Sequence, residues 1–132
     1  MKLLLDTHAF LWFCMEPAKL GRSGRRAMQN AKSEVFVSAI TFWEISLKTG
    51  IGKLTLKNVE PEELPGVAEE SGLSLLPLKP EVAASFHRLP TTAHKDPFDR
   101  MLVWQAIDAG VTLVSKEAFP VDYQNAGLKV LW

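Results

Sequence analysis

Apolar positions fall along this chain in two patterns: short unbroken runs, and longer stretches with apolar residues three and four apart. Residues 2–5 form a run of three leucines closed by Asp6, as expected of a strand buried on both faces in a parallel sheet. The same reading predicts strands at 34–38, where Val35, Phe36 and Val37 supply β-branched and aromatic side chains, at 73–78, at 111–115 and, after Gly127, at 128–132. Between them, helical spacing predicts helices from Thr7 or His8 to Met15, over 21–32, from Ala39-Ile40 through Leu47, and over 61–71, 80–89 and 97–109. The punctuation agrees. Glu16-Pro17, Gly50, Gly72 and Gly110 follow helix ends, while Pro80 and Pro97 stand where a first helical residue is expected. Residues 53–56 read as an extended piece or loop, 90–95 as a loop and 116–123 as a turn.

Strands alternating with helices imply an α/β fold, with a mainly parallel central sheet of four or five strands and helices on both faces. At 132 residues, 47% hydrophobic and 23% charged, the chain fits one domain over 1–132 with an ordinary core. Asp6 and His8 interrupt the apolar start before a cleavage region forms, so it reads as strand and not as signal peptide. The longest apolar run, 9–15, is far below the roughly 20 residues that cross a bilayer. A single cysteine, Cys14, with apolar neighbours, is expected to be a buried thiol in a reducing cytoplasm. Formal net charge is zero, yet residues 1–59 carry nine Lys or Arg against four acids, and 60–132 carry six against eleven. One surface therefore suits phosphates and another suits cations.

The acids are placed where such a fold binds ligands, beyond the carboxyl ends of the strands at the point where strand order reverses. Asp6 ends the first strand, Glu44 lies in the helix after the second, Asp96 and Asp99 open the helix before the fourth, and Glu117 follows that fourth strand. Each has an ordinary reading too. Asp96 before Pro97 caps a helix, Asp99 offsets its dipole with Arg100 in reach of Asp96, and Glu44 fits a capping box with Thr41 or an ion pair with Lys48. Together, several carboxylates in one cleft must share protons or bind a cation. Oxygen donors without a Cys or His cluster favour Mg²⁺ or Mn²⁺, and such a cleft suits attack of metal-activated water on a phosphodiester. Thr7 and Ser115 can orient a ligand or serve as caps. His8 and His94 read as hydrogen-bonding or substrate-contacting groups and His87 as structural. Arg22, Arg25 and Arg26, at helical spacing, with Lys48 and Lys53, would track a nucleic-acid backbone.

Four stretches carry a resemblance to a known family: Leu4-Leu5-Asp6-Thr7-His8; Val37-Ser38-Ala39-Ile40-Thr41-Phe42-Trp43-Glu44-Ile45; His94-Lys95-Asp96-Pro97-Phe98-Asp99-Arg100-Met101-Leu102; and Thr112-Leu113-Val114-Ser115-Lys116-Glu117-Ala118-Phe119. Over nearly its whole length the chain resembles the PIN-domain ribonucleases, specifically the toxin halves of VapBC-type toxin-antitoxin pairs. The resemblance implies a three-layer α/β/α fold, endonucleolytic cleavage of RNA, and a metal site of Asp6, Glu44 and Asp99, with Asp96 an additional candidate and Glu117 at the fourth position. It also implies a homodimer and a VapB-like antitoxin whose tail fills the acidic cleft. Two residues depart from the family's usual Thr and Asp: Ser115 keeps the hydroxyl, and Glu117 keeps the charge but reaches one methylene further.

The rival from another class is a catalytically degenerate PIN-like module that binds RNA or protein, whose signature would be missing acids. A phosphatase or phospho-receiver on a related layered fold is a second rival. It wants a second Asp two residues after the first, where this chain has His8, or an acidic pair that is absent.

Overall fold

The computed structural model describes residues 1–132. Five strands, β1 (Lys2–Leu5), β2 (Glu34–Ser38), β3 (Ser74–Leu76), β4 (Thr112–Val114) and β5 (Lys129–Leu131), form one sheet in the order β3-β2-β1-β4-β5, every pair parallel. Seven helices make the crossovers: α1 (Thr7–Met15), α2 (Arg22–Gln29), α3 (Ala39–Gly50), α4 (Leu64–Glu70), α5 (Pro80–Ser85), α6 (Pro97–Ala109) and α7 (Val121–Asn125). The sheet is thus wholly parallel with five strands, the upper of the two expected counts. No helix is long and apolar enough to cross a membrane.

Side chains alternate across β1, so the leucine run feeds two cores. Leu3 and Leu5 pack on one face with Phe10, Leu20, Val35, Val37, Ile45, Leu64 and Ala68. Leu4 points to the other, with Leu102, Val103, Ala106, Leu113 and Tyr123. A strand covered on both faces must be apolar throughout, which is why β1 shows no alternation in sequence.

Strand order reverses between β1 and β4: the chain walks β1, β2, β3 outward, then returns past β1 to β4 and β5. Loops after β1 and β4 diverge there, and the gap between them opens at the carboxyl edge. The Asp6 amide donates to the Val114 carbonyl at 3.1 Å and so pins the end of β1 to the end of β4.

Several boundaries move, each for a local reason. The helix expected over 21–32 stops at Gln29, because the Asn30 side chain accepts from the Lys32 amide at 2.9 Å and turns the chain into β2. The third helix runs three residues past Leu47, to Gly50. The stretch 61–71 begins as a 3₁₀ turn, Pro61–Glu63, before α4, and 80–89 ends as one, Phe86–Arg88. The expected strands at 73–78, 111–115 and 128–132 shorten to three residues each. Where a turn was expected near 122, α7 forms, capped at Pro120 and burying Tyr123 alone. Five residues are too few to display helical period.

The start of α2 is locked to the chain's last described residue: the Gly24 amide donates to the Trp132 carbonyl at 3.1 Å, and a Cβ on Gly21 would lie 2.5 Å from the Trp132 carbonyl carbon. Gly50, by contrast, has open space around it. Gly21→Ala is therefore expected to destabilise the protein by about 1–3 kcal/mol, whereas Gly50→Ala is neutral or stabilises by up to about 1 kcal/mol. Urea unfolding of the two variants checks this, and equal midpoints would refute the close contact.

Candidate functional site

Asp6 leaves β1 as the N-cap of α1, its Oδ1 accepting from the Ala9 amide at 2.7 Å. It is 4% exposed. Burial raises its pKa, opposed by hydrogen bonds from the Ser115 hydroxyl and the Ala9 amide. Beside it, Thr7 donates to Glu44 Oε1 at 2.6 Å and meets the Thr41 hydroxyl at 3.2 Å. Glu44 sits in the middle of α3, whose N-cap is Ser38, so the capping-box reading of Glu44 does not hold. The other ordinary reading does: Lys48, one turn on, pairs with Glu44 Oε2. Both oxygens of this buried carboxylate are thus engaged. The Lys48 pKa is raised, chiefly by the Glu44 hydrogen bond, with Asp96 and Asp99 adding to it. Lys48 Nζ lies 5.9 Å from the Phe98 ring centroid.

From α6 come Asp96 and Asp99. Asp96 is the N-cap, its Oδ1 accepting from the Asp99 amide at 2.9 Å, as its position before Pro97 predicts. Asp99 is half-buried, and its carboxyl is pushed up to about 7, first by desolvation and then by the charges of Asp96, Glu44, Asp6 and Glu117. The other four acids therefore all act on Asp99. Arg100 does not relieve Asp96; its Nε donates to the Tyr123 hydroxyl at 3.2 Å and its Nη2 to the Pro90 carbonyl at 3.1 Å.

After β4, the Ser115 hydroxyl is buried and accepts from the Glu117 amide at 3.1 Å, turning the chain so that Glu117 faces the cleft. That cleft, about 360 Å³, is lined by Asp6, His8, Trp12, Lys116, Glu117 and Ala118. A second, about 540 Å³, adjoins it through His8 and Trp12 and is lined further by Leu11, Met15 and Leu54.

No three His, Cys, Asp or Glu side chains converge closely enough to form a ready-made metal cage. The reason is visible in their hydrogen bonds, since Asp6, Asp96 and Glu44 each have an oxygen turned to a helix amide, a hydroxyl or Lys48. The donor chemistry nevertheless fits a hard divalent cation: carboxylate oxygens, partly desolvated, carrying more negative charge than Lys48 balances.

The basic residues divide. Arg22 and Arg26 are exposed on α2. Arg25 holds the preceding turn instead, its Nη2 donating to the carbonyls of Pro17 at 2.9 Å and Leu20 at 3.3 Å. Lys53 is exposed. Cys14 is half-buried, its thiol pushed up to about 11 by burial. His87 is exposed, and His94 lies beside Asp99. Tyr123, to which His94 bonds, had no sequence signal: its importance comes from contacts across 23 to 31 residues of chain.

Asp99 binds its proton more tightly folded than unfolded, so its ionisation removes stability as pH rises from the ordinary 3.8 to about 7, and the loss is complete above that. Metal-free Asp99→Asn is accordingly expected to melt higher than the unsubstituted protein at about pH 8. The gap should close as pH falls toward about 4. A gap that does not change with pH in melts under chelator would remove the electrostatic cause.

Residues 3–118 match the family described as PIN domain. Ribonuclease VapC22 of Mycobacterium tuberculosis (strain ATCC 25618 / H37Rv) is 30% identical over 115 residues, 87% of this chain and 86% of that protein. The fold is similar to that in the crystal structure of VapBC2 from Rickettsia felis bound to a DNA fragment from their promoter (TM-score 0.69, 16% identity, 99% of this chain and 98% of that one). It is also similar to that of FitAcB from Neisseria gonorrhoeae (TM-score 0.59, 23% identity, 97% and 95%). With the family match spanning the sheet from β1 through β4 and the loop that bears Glu117, the protein belongs to the PIN domain family.

Proposed function

We propose that the protein is an endoribonuclease, the toxin of a VapBC-type pair, which hydrolyses RNA phosphodiester bonds with Mg²⁺ or Mn²⁺ held by Asp6 and Asp99, assisted by Glu44, Asp96 and Glu117. The observation that carries this reading is Asp99, a carboxyl driven up to about 7 by burial and four neighbouring acids at a sheet's switch point. The named relative is a ribonuclease. A bound divalent ion would neutralise charge on the scissile phosphate and activate water as the nucleophile.

The chain's own groups supply the frame. Asp6 and Asp96 are held by the helix amides they cap, and Ser115 fixes both Asp6 and the turn that presents Glu117. Thr7 and Thr41 orient Glu44. Lys48, kept cationic by Glu44, stands beside the acids as a contact for phosphate oxygen. Arg22 and Arg26 extend the basic surface toward the RNA backbone, whereas Arg25 serves the fold.

Both expected protein partners have surfaces that suit them. The cleft of Leu11, Trp12, Met15 and Leu54, rimmed by Glu16, Thr55 and Lys57, leads through His8 to the acids, a path for an antitoxin tail. Trp43 is 58% and Leu47 38% exposed on α3, Ile51 just past its end is 59% exposed, and Trp43 meets the Phe98 ring edge-on at 5.2 Å; this surface suits a homodimer. The degenerate-module alternative wants empty acidic positions, and here all five are filled.

The deciding experiment incubates antitoxin-free protein with total RNA under Mg²⁺, Mn²⁺ or chelator. Discrete metal-dependent fragments are expected, and Asp6→Asn or Asp99→Asn should reduce cleavage to the chelator level with folding intact. Cleavage that survives either substitution would exclude this mechanism, and RNA binding without cleavage would favour the degenerate module. Separately, Arg22→Glu with Arg26→Glu should flatten the salt dependence of RNA binding by about one to two phosphate contacts. Filter binding across salt concentrations measures this, and an unchanged slope would return α2 to solvent.

A further inference from the structure

The loop before α6 is tied to the fold through one buried phenol. Tyr123 is fully buried, and its hydroxyl has three partners: Arg100 Nε at 3.2 Å, Thr92 Oγ1 at 3.4 Å and His94 Nδ1 at 3.2 Å. The His94 ring stands edge-on to Phe119, with centroids 5.5 Å apart, and to Tyr123 at 5.7 Å, so its plane is fixed by packing. Arg100 is itself held by the Pro90 carbonyl and lies over the Phe86 ring at 5.0 Å. On the far side of the imidazole, Nε2 faces Asp99 Oδ2 at 3.7 Å.

Counting protons assigns the tautomer. The guanidinium of Arg100 can only donate, and Thr92 donates its hydroxyl proton to the same phenol oxygen. Tyr123 is left with one proton, and the one partner of its hydroxyl that can accept it is His94 Nδ1 at 3.2 Å. A neutral imidazole that accepts at Nδ1 carries its hydrogen on Nε2, the nitrogen turned to Asp99. The 3.7 Å separation exceeds hydrogen-bond length, so the two groups face each other as a close pair without a formed hydrogen bond.

We propose that His94 is a positioning residue for Asp99, held by the Tyr123 hydroxyl as the Nε2–H tautomer so that a fixed donor faces one carboxylate oxygen and turns the other toward the cation site. The relation is that of an outer partner orienting a metal-binding carboxylate. It rests on the proposed function for the role of Asp99, but not for the tautomer. Neither Tyr123 nor the direction of the imidazole is visible in the motif around Asp96-Pro97-Phe98-Asp99, since the partner comes from α7.

The test has two readings. In metal-free protein at mildly alkaline pH, the nitrogen shifts of the His94 ring should show a protonated Nε2 and an unprotonated Nδ1; Tyr123→Phe, which keeps the ring in the core, should convert this to a mixture. Titration with Mn²⁺ alone, followed by its electron spin resonance, should then show binding weakened about tenfold in His94→Ala and restored to within about threefold in His94→Gln, whose amide nitrogen reaches the place of Nε2. A protonated Nδ1, or a tautomer unmoved by Tyr123→Phe, overturns the inference while leaving the nuclease untouched. So does Mn²⁺ affinity in His94→Ala equal to that of the unsubstituted protein. Failure of the unsubstituted protein to bind Mn²⁺ with the expected tautomer present would instead overturn the metal site, and the positioning role with it.

Discussion

Carboxylates brought together in a half-buried cleft repel one another, and the polar contacts around this cleft are what keep them there. Each acid is fastened by a different device. Asp6 and Asp96 cap helices, Glu44 is gripped by a threonine and a lysine, and Asp99 is carried on the first turn of α6 under Asp96. A helix N-terminus tolerates negative charge because its amides and dipole favour it, so the two caps offset part of the repulsion they create. What remains falls on Asp99, the one carboxyl whose pKa rises to about 7.

The sheet makes this convergence unavoidable. Parallel strands bring all their carboxyl ends to one edge, and the reversal of order between β1 and β4 opens that edge at the place where Asp6 and Glu117 emerge. Lys48 is the internal counter-charge, and its cation also caps one oxygen of Glu44. The site is thus partly self-neutralised before any ligand arrives.

Much of this was legible in the chain. The leucine run before Asp6, the strand at 34–38 and the helix opened by Pro97 carry strong local signals; they locate Asp6 and Asp96 because those residues are also caps, and Asp99 because it lies in the first turn that Asp96 caps. Arg25 was not legible. Helical spacing groups it with Arg22 and Arg26, and only the folded turn at Pro17 and Leu20 reveals carbonyls that claim its guanidinium. Glu44 was undecidable locally, since the choice between cap and ion pair depends on where the helix starts, and Ser38 takes the cap. Tyr123 was invisible for a different reason: a five-residue helix has no period, and its hydroxyl meets partners from a distant loop and from α6.

The pairing of β1 with β4 also sets when the cleft comes into being. Asp6 and Glu44 belong to one half of the chain and Asp99 and Glu117 to the other, and no local hairpin joins them; only the crossover from β3 back to β4 sets β4 beside β1. Contacts of such sequence separation carry the larger loop-closure cost, so they need the rest of the domain to support them. The acidic centre is consequently an all-or-none property of the finished domain. A chain still folding carries the same carboxylates without the sheet edge that gathers them.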